Sequence, residues 1–531
     1  MYQKTYSTAL IGLTGINLEI ECFISGGLPS FNIIGINPSA AAASRERVRS
    51  ALKSCGYSLP ASRITINVRP LDVRVTENVE HAPWLDLPIA LCILACQSLI
   101  PPRNLTTSAW LGELSLSGDI KALYGALTMT RCLKEAAVLP GDNDPTIYLP
   151  IQNAAEASLC PGVRVHGLRH LTQVIDLLRN HCSHDVPDAF ALQPAKASAL
   201  EGSGTASPTT FPKVSQNPIS LFDEISGQGI GKRAVTIAAA GMHNLLLIGP
   251  PGCGKTMLVS TLPSLLPPLS YEEQLELTEI YSCKQMLPEG CLLMDHRPFR
   301  APHHTITVPS LLGGGVYPVP GEVSLAHHGV LFLDEFPELQ RASLEALREP
   351  LEDHFVRISR LHGSYSFPAD FVLAAGMNPC PCGFYPDKNK CHCSEKRVQD
   401  YYGKIDSPLL DRMDLILHLE SVKAADIGRQ AGLSYEQAKR MVETAFEKQR
   451  RRFGQEGTFN SRMDVDMIKQ FCRLSREDEV FLKGACEHFG LSMRAYHKIL
   501  RVSRTIADME GSDRIRQQDL LEALQYRTTL K

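Results

Sequence analysis

One eight-residue segment constrains the fold of this 531-residue chain more than any other part of the sequence. It has the form G-x-x-x-x-G-K-[ST], and its residues are Gly249, Pro250, Pro251, Gly252, Cys253, Gly254, Lys255 and Thr256. An apolar run at 244–248 precedes the segment and a helical pattern follows it, which is the strand–loop–helix context of a phosphate-binding loop. Glycines let successive backbone N–H groups converge on phosphate oxygens. The sequence therefore predicts a nucleotide site in which Lys255 contacts the β- and γ-phosphates and Thr256 holds Mg²⁺.

Two further apolar runs end in polar residues that suit the same site. The run at 330–333 is followed by Asp334 and Glu335. We expect Asp334 to hold Mg²⁺ through water and Glu335 to polarise the attacking water. The run at 371–375 comes before Asn378, which would hydrogen-bond the γ-phosphate or the lytic water, although a lone Asn is also common in turns. Together these residues predict an ATPase that uses ATP and Mg²⁺.

The length of the chain predicts several domains, because one hydrophobic core rarely supports so many residues. The segments differ in pattern, and they are an α/β domain at 1–187, a flexible linker at 188–220, an α/β core with a mostly parallel sheet at 221–420 and a helical lid at 421–531. Ser475 and Ser492 are predicted to cap helices of the lid.

Composition restricts location and partners only weakly. The net charge of −3 and the pI near 6.6 give no overall basic field, so contact with nucleic acid would need a local patch. The N-terminus lacks the features of a secretory signal, and the most apolar segment, 87–100, is shorter than the roughly 20 residues that span a bilayer. We therefore predict a cytoplasmic protein with no membrane partner.

Four cysteines, Cys380, Cys382, Cys391 and Cys393, follow Asn378 closely. Thiolates bind Zn²⁺ tetrahedrally, and a metal can order a loop that is too short for an apolar core of its own. The pattern indicates a structural zinc site. Because the spacing departs from the commoner C-x₂-C pairs, free or redox-active thiols remain the alternative, and His392 is a substitute ligand.

These motifs, with the segments at 374–380 and 409–414, resemble the magnesium-chelatase-like branch of the AAA+ ATPases. Further phrases at 297–304, 321–328 and 492–497 resemble its ComM/YifB family. That resemblance implies a homo-hexameric helicase that drives DNA branch migration in natural transformation and homologous recombination. Its partners would be single-stranded and branched DNA and recombination proteins.

The resemblance also assigns two arginines. It implies that Arg412 is an arginine finger that reaches the γ-phosphate of a neighbouring subunit, and that Arg494 is the sensor arginine of the lid. A guanidinium suits both tasks because its fixed fork spreads over phosphoryl oxygens. A surface ion pair is the alternative for either residue.

Alternating residues around a Gly turn predict a β-hairpin between 349 and 370. By the resemblance this hairpin faces a central pore, as does an insertion at 295–321. Arg357, Arg360 and His362 are then candidates for contact with DNA phosphates, the alternative being a solvated hairpin face.

The N-terminal domain resembles the proteolytic domain of Lon, in which a Ser nucleophile pairs with a Lys base. Trp84 and Leu127 stand at those places and can serve as neither, so we expect a non-proteolytic scaffold. The alternative function is a magnesium-chelatase-type motor subunit for insertion of Mg²⁺ into a porphyrin, a motor that lacks such an N-terminal domain.

Overall fold

The computed structural model describes the chain in eleven segments, namely 1–71, 82–136, 145–180, 191–192, 218–288, 291–315, 318–360, 363–387, 389–421, 432–454 and 457–527. These residues form two compact units. The first comprises Met1–Pro208, Thr278–Met294 and Arg357–Ser366, and the second comprises Thr209–Leu277, Asp295–Val356 and Phe367–Lys531. Most of the predicted linker lies outside the described residues, as does His362.

The first unit is built on an eight-stranded sheet in the order β10-β9-β8-β5-β1-β2-β4-β3. The strands of this part of the chain, including the separate pair β6–β7, are β1 (Tyr2–Ile11), β2 (Thr14–Ser25), β3 (Ser30–Ile34), β4 (Arg63–Pro70), β5 (Ser108–Trp110), β6 (Glu113–Leu114), β7 (Ile120–Lys121), β8 (Thr146–Pro150), β9 (Arg164–Leu168) and β10 (Ala191–Leu192). Its helices are α1 (Pro38–Ser54), α2 (Asp86–Cys96), α3 (Ala126–Glu135), α4 (Ile151–Ala157) and α5 (Leu171–Asn180). The pairs β1–β2 and β2–β4 are antiparallel, whereas β1–β5, β5–β8 and β8–β9 are parallel.

Helix α2 explains the most apolar stretch of the sequence. Every residue of this helix is buried, and it packs against β1 and β2. Transfer of apolar side chains from water drives this burial. None of the helices in the described part of the chain is long and apolar enough to cross a membrane.

The second unit contains the predicted parallel sheet, which has five strands in the order β12-β15-β18-β11-β19. The strands from residue 245 onward are β11 (Leu245–Ile248), β12 (Phe299–Arg300), β13 (Gly313–Gly314), β14 (Val319–Pro320), β15 (Val330–Leu333), β16 (Phe355–Arg360), β17 (Gly363–Pro368), β18 (Val372–Met377) and β19 (Leu415–His418). Strands β11, β15 and β18 are buried along their whole length, as expected for parallel strands covered on both faces. The pairs β13–β14 and β16–β17 form small separate sheets, and the second is the predicted hairpin.

Helices cover this sheet. Those between residues 218 and 410 are α6 (Pro218–Glu224), α7 (Gly229–Gly241), α8 (Lys255–Ser260), α9 (Leu262–Leu265), α10 (Tyr271–Cys283), α11 (Val308–Leu312), α12 (Glu322–Leu325), α13 (Arg341–Ala346), α14 (Pro350–Asp353), α15 (Glu395–Tyr402) and α16 (Ser407–Leu410). Short 3₁₀ turns lie at Pro83–Leu85, Arg103–Leu105, Phe336–Glu338 and Asn460–Arg462.

The described residues from 432 to 527 are mainly helical, as the sequence predicts for the lid, and their helices are α17 (Tyr435–Phe453), α18 (Val465–Phe471), α19 (Arg476–Phe489), α20 (Met493–Met509) and α21 (Gln517–Gln525). Helices α17 and α20 pack on α7. The Ser475 and Ser492 hydroxyls accept hydrogen bonds from the N–H groups of Asp478 and Ala495, at 3.1 and 3.2 Å. Both predicted N-caps are therefore formed, and a cap of this kind contributes about 1 kcal/mol.

Candidate functional site

The phosphate-loop segment leaves the carboxyl end of β11. The N–H of Gly249 donates to the carbonyl of Met377 at 3.1 Å, which holds the start of the loop beside the end of β18. Gly252 and Gly254 have φ angles of +77° and +94°, a left-handed region that residues with a Cβ seldom adopt. The loop can therefore turn tightly before α8 begins at Lys255.

Lys255 and Asn378 are brought together at this edge of the sheet. The Lys255 ammonium is 2.8 Å from the carbonyl oxygen of Gly249, 3.2 Å from that of Pro250 and 3.2 Å from Asn378 Oδ1. These oxygens are uncharged acceptors. Phosphate oxygens make stronger, charge-assisted hydrogen bonds, so a bound triphosphate would compete well for the same ammonium.

The Thr256 hydroxyl and the Asp334 carboxylate also meet here, with Oγ1 and Oδ2 3.4 Å apart. Asp334 Oδ1 accepts the N–H of Glu335 at 2.9 Å. The glycine at 376 leaves room for this carboxylate, since a Cβ there would lie 2.7 Å from Oδ1. A hydroxyl and a carboxylate are the hard oxygen donors that Mg²⁺ prefers, so the two residues fit the ion that the sequence predicts for them.

The catalytic candidate Glu335 has a backbone in the left-handed region, with φ of 49° and ψ of 41°. Non-glycine residues in that region cost of order 1 kcal/mol and are concentrated at functional sites. The side chain is half exposed, and its Oε2 lies 2.8 Å from Nδ1 of His304. His304 thus contacts the carboxylate that is predicted to act on water.

No pattern in the sequence assigns His304 to the nucleotide site. The histidine lies in the segment at 295–321, which resembles an insertion of the family. The consecutive imidazoles of His303 and His304 were the one local signal, and nothing in their spacing points to Glu335.

Arg412 lies at the opposite end of the strands of the same sheet, beside their amino ends. Its carbonyl accepts the side-chain N–H of Asn244, which comes just before β11, and Arg412 itself comes shortly before β19. Because β11 and β19 are parallel, this end is separated from the phosphate loop by the length of the strands, about 15 Å at roughly 3.3 Å per residue. The structure therefore does not bring Arg412 to the phosphate loop of its own chain.

The side chain of Arg412 has local partners. It pairs with Glu352 and donates to the carbonyl of Pro408 at 2.7 Å. The ion pair that the sequence left open as an alternative is thus present. An exposed carboxylate such as Glu352 is a weak partner, because solvent screens the pair.

Arg494 is exposed in the first turn of α20. Within the described segments its side chain has no hydrogen-bond or ion-pair partner. The structure places it on the predicted lid helix and leaves its sensor role a prediction.

The four clustered cysteines converge. Their sulfur atoms all lie within 4.8 Å of one another, with 3.2 Å between Cys380 and Cys382 and 3.7 Å between Cys380 and Cys391. A tetrahedral ion at the usual Zn–S length of about 2.3 Å requires sulfur separations of about 3.8 Å. The N–H of Phe384, and after it Cys380, lower the pKa of Cys382 and so favour its thiolate. The group could therefore hold a metal; His392 is not part of it.

The cysteine loop lies against the phosphate loop. Gly383 has a φ of +86°, and a Cβ on it would come 2.8 Å from Cδ of Pro251. The Sγ of Cys380 also accepts the N–H of Tyr385 at 3.4 Å, which folds the loop back on itself. The cysteine loop therefore lies next to the loop that carries Lys255, and a side chain at position 383 would clash with Pro251.

A second group with metal-ligand chemistry consists of Glu276, His327 and His328. Nδ1 of His327 accepts the N–H of Asp370 at 3.0 Å, so the ring proton must be on Nε2, which faces Glu276 at 3.3 Å. A neutral imidazole in that tautomer donates from Nε2 and cannot ligate through it. Hydrogen bonds from the two histidines hold the pKa of Glu276 well below its usual range, and we read the group as a hydrogen-bonded cluster.

The remaining sequence candidates lie in the first unit. Trp84 is buried and its indole N–H donates to the carbonyl of Thr8 at 2.7 Å, and Leu127 is buried as well. Both are core residues and offer no nucleophile or base. On β16 the side chains of Arg357 and Arg360 are exposed, while Val356 and Ile358, which flank Arg357, are buried.

Comparison with known proteins agrees with this architecture. Three family models match: magnesium chelatase, subunit ChlI, over residues 221–427; the C-terminal part of the same subunit over 432–527; and a further ChlI subunit model over 20–143. The chain is 37% identical to YifB of Salmonella typhimurium over 98% of its own length and 96% of the relative, and 36% identical to competence protein ComM of Haemophilus influenzae over 99% and 97%. YifB of Escherichia coli is 36% identical over 98% and 96%. The chain belongs to the ComM/YifB family of magnesium-chelatase-like AAA+ ATPases.

Proposed function

We propose that this chain is the subunit of a homo-hexameric ring that hydrolyses ATP to move along DNA and drive branch migration of DNA junctions. The observation that carries the proposal is that the predicted ATPase residues lie at opposite ends of the strands of one sheet. Lys255, Thr256, Asp334 and Glu335 cluster at the carboxyl edge, and Arg412 lies at the amino edge about 15 Å away. A second copy of the chain would have to bring its Arg412 to complete the site.

In the proposed mechanism the phosphate loop binds the triphosphate through its backbone N–H groups. Lys255 exchanges its carbonyl partners for phosphate oxygens. Asn378, which already contacts Lys255, then lies close enough to hydrogen-bond the γ-phosphate. Thr256 and Asp334 would hold Mg²⁺, which supplies charge neutralisation at the phosphates. Glu335, oriented by His304, accepts a proton from the attacking water. Arg412 of the neighbouring subunit stabilises the charge that develops on the γ-phosphate, and Arg494 does so from the lid of the same subunit.

The part played by DNA rests on two supports. One relative of nearly equal length is a competence protein, and competence is the uptake of DNA by cells. The hairpin strand β16 also presents Arg357 and Arg360 as exposed cations. We propose that they contact the phosphates of single-stranded or branched DNA, in natural transformation and homologous recombination, with recombination proteins as partners.

The test uses a synthetic four-way DNA junction with ATP and the purified chain. We expect the native protein to convert the junction to its branch-migrated products. Lys255→Ala should abolish nucleotide binding, and Glu335→Gln should bind ATP without turnover, so neither should move the junction. ATP turnover by the native chain with no junction movement would contradict the proposal.

The family descriptions keep one alternative in view, a motor subunit for insertion of Mg²⁺ into a porphyrin. The two functions differ in what stimulates hydrolysis. DNA should raise the ATPase rate of a translocase, whereas a chelatase motor should respond to its partner subunits and porphyrin and not to DNA.

A further inference from the structure

The segment that carries Arg412 is fastened to the lid at the next two residues. The carbonyl of Met413 accepts hydrogen bonds from Lys498 at 3.2 Å and from Arg527 at 2.6 Å. Asp414 then forms an ion pair with Lys498, whose Nζ is 2.7 Å from Oδ1. Backbone and side chain of this segment are thus held by the same lysine of α20.

The other oxygen of Asp414 is fixed by the core. Oδ2 accepts the N–H of Asn244 at 3.1 Å and lies 3.5 Å from Nδ1 of the buried His243. The ring of His243 contacts Thr505, another residue of α20, at 2.8 Å. Asp414 therefore joins the amino edge of the sheet to α20 through two routes.

The ion pair is shielded from water. The side chains of Asp414 and Lys498 are 8% and 12% exposed. Although burial raises the pKa of Asp414, Lys498 and His243 keep it well below its usual range, so the carboxylate is charged at neutral pH. Removal of one partner would leave the other charged and buried, which is strongly destabilising. The two side chains are therefore expected to stay paired.

Helix α20 begins at Met493, so Arg494 lies one helical turn before Lys498 on the same face. A movement of α20 in response to nucleotide at Arg494 would act directly on Asp414 and hence on Arg412. A guanidinium that must meet a phosphoryl group in another subunit depends on such fixation, because a misplacement of about 1 Å can cost on the order of a hundredfold in rate.

We propose that Asp414 and Lys498 are positioning residues that set the reach of Arg412 into the neighbouring subunit and tie it to the lid helix of their own subunit. The inference rests on the proposed shared site. It assigns the pair to the ATPase site of the adjacent chain and not to that of its own.

Mixed rings test this directly. An acceptor chain carrying Arg412→Ala keeps its own phosphate loop and Glu335 but offers no finger. A donor chain carrying Glu335→Gln cannot hydrolyse ATP but offers an intact finger. Hydrolysis in the mixture then reports only sites in which a donor's Arg412 reaches an acceptor.

The donor is next changed at the pair, to Asp414→Asn with Lys498→Met, so that both charges are removed together and neither is left buried alone. A matched donor carries Arg233→Met with Glu522→Gln, which removes another ion pair between core and lid, 2.9 Å long, that does not touch the finger segment. Donors carry an affinity tag, and each rate is normalised to the donor chains recovered in rings. Thermal melting compares the stability of the two donors.

We expect the Asp414/Lys498 donor to restore about tenfold less hydrolysis than the Glu335→Gln donor, since the finger is displaced. The Arg233/Glu522 donor should restore the full rate. Lys498→Arg in the donor, which keeps a cation opposite Asp414, should recover most of the rate. Equal restoration by all donors would overturn the positioning role, whereas no restoration even by the Glu335→Gln donor would overturn the shared site itself.

Discussion

At the scale of single residues, the side chains of His304 and Glu335 are in direct contact beside the phosphate loop. The imidazole lies 2.8 Å from a carboxylate whose backbone is already held in a left-handed conformation. Two constraints thus act on Glu335, the residue that we propose to act on the attacking water. Orientation of such a group contributes to rate without contributing to substrate binding.

A substitution at His304 separates these effects. We expect His304→Ala to lower kcat for ATP hydrolysis by about tenfold with little change in nucleotide affinity, because Glu335 loses its partner while the phosphate loop is untouched. Steady-state kinetics and equilibrium binding of a fluorescent ATP analogue measure the two quantities.

His296→Ala is the matched control, since the Nδ1 of that exposed histidine contacts Asp295 at 2.9 Å. An unchanged or raised kcat for His304→Ala would contradict a positioning role, as would an equal loss in the His296 variant.

Residue positions along the strands could be predicted, whereas side-chain pairs between distant segments could not. Asp334 and Asn378 each follow an apolar run, and parallel strands bring such residues to one edge. The pairs His304–Glu335 and Asp414–Lys498 depend on how an insertion and a lid pack on the core. No local periodicity encodes that packing.

At the scale of elements, the cysteine loop is an ordered structure placed against the phosphate loop. Its sulfur atoms are close to the spacing of a tetrahedral ion, and Gly383 contacts Pro251. The sequence could indicate the ligands from their chemistry. It could not indicate the contact with Pro251, because the two loops come from different strands.

Removal of the metal should therefore change nucleotide binding. We expect about one zinc per chain in the purified protein, and Cys382→Ser or chelation should remove it and weaken ATP binding several-fold as the loop loses order. Metal content is measured by mass spectrometry and ATP affinity by calorimetry.

Cys486→Ser serves as a control, because this cysteine of α19 lies outside the cluster. Full metal content in the Cys382 variant would contradict the ligand assignment. Unchanged ATP affinity after complete metal loss would show that order in the cysteine loop does not affect nucleotide binding.

At the scale of the whole molecule, the sequence predicts the order of modules more completely than their internal arrangement. The α/β N-terminal unit, the mostly parallel sheet and the terminal helices are all predicted by the sequence, although the number of strands is not. The strand order of the first unit, with β5 between β1 and β8, is not predicted either, since pairing of distant strands has no local signature. The predicted domain limits themselves remain predictions.

The proposed DNA contact gives a prediction at this scale. We expect Arg357→Gln with Arg360→Gln to weaken binding of single-stranded DNA and to reduce the slope of log affinity against log salt by about 1.4, or roughly 0.7 for each lost phosphate contact. Fluorescence anisotropy across a salt series measures the slope, and ATPase activity without DNA should be unchanged.

The control is Arg341→Gln, which removes an exposed arginine of α13 that pairs with Glu345 in its own helix. If the hairpin variant kept the native slope, the hairpin would not be the DNA-binding element. If the control lowered the slope equally, the effect would be one of net charge.

The position of Arg412 at the end of the strands opposite the phosphate loop also has a genetic consequence. If each site is shared by two chains as proposed, a chain defective in both Glu335 and Arg412 spoils its own site and that of its neighbour. In a cell making native and defective chains together, the fraction of working sites would follow the square of the native fraction. A second, mutant copy of this gene would then be partially dominant-negative over the native one. Two chains that each carry one of the two defects could complement each other.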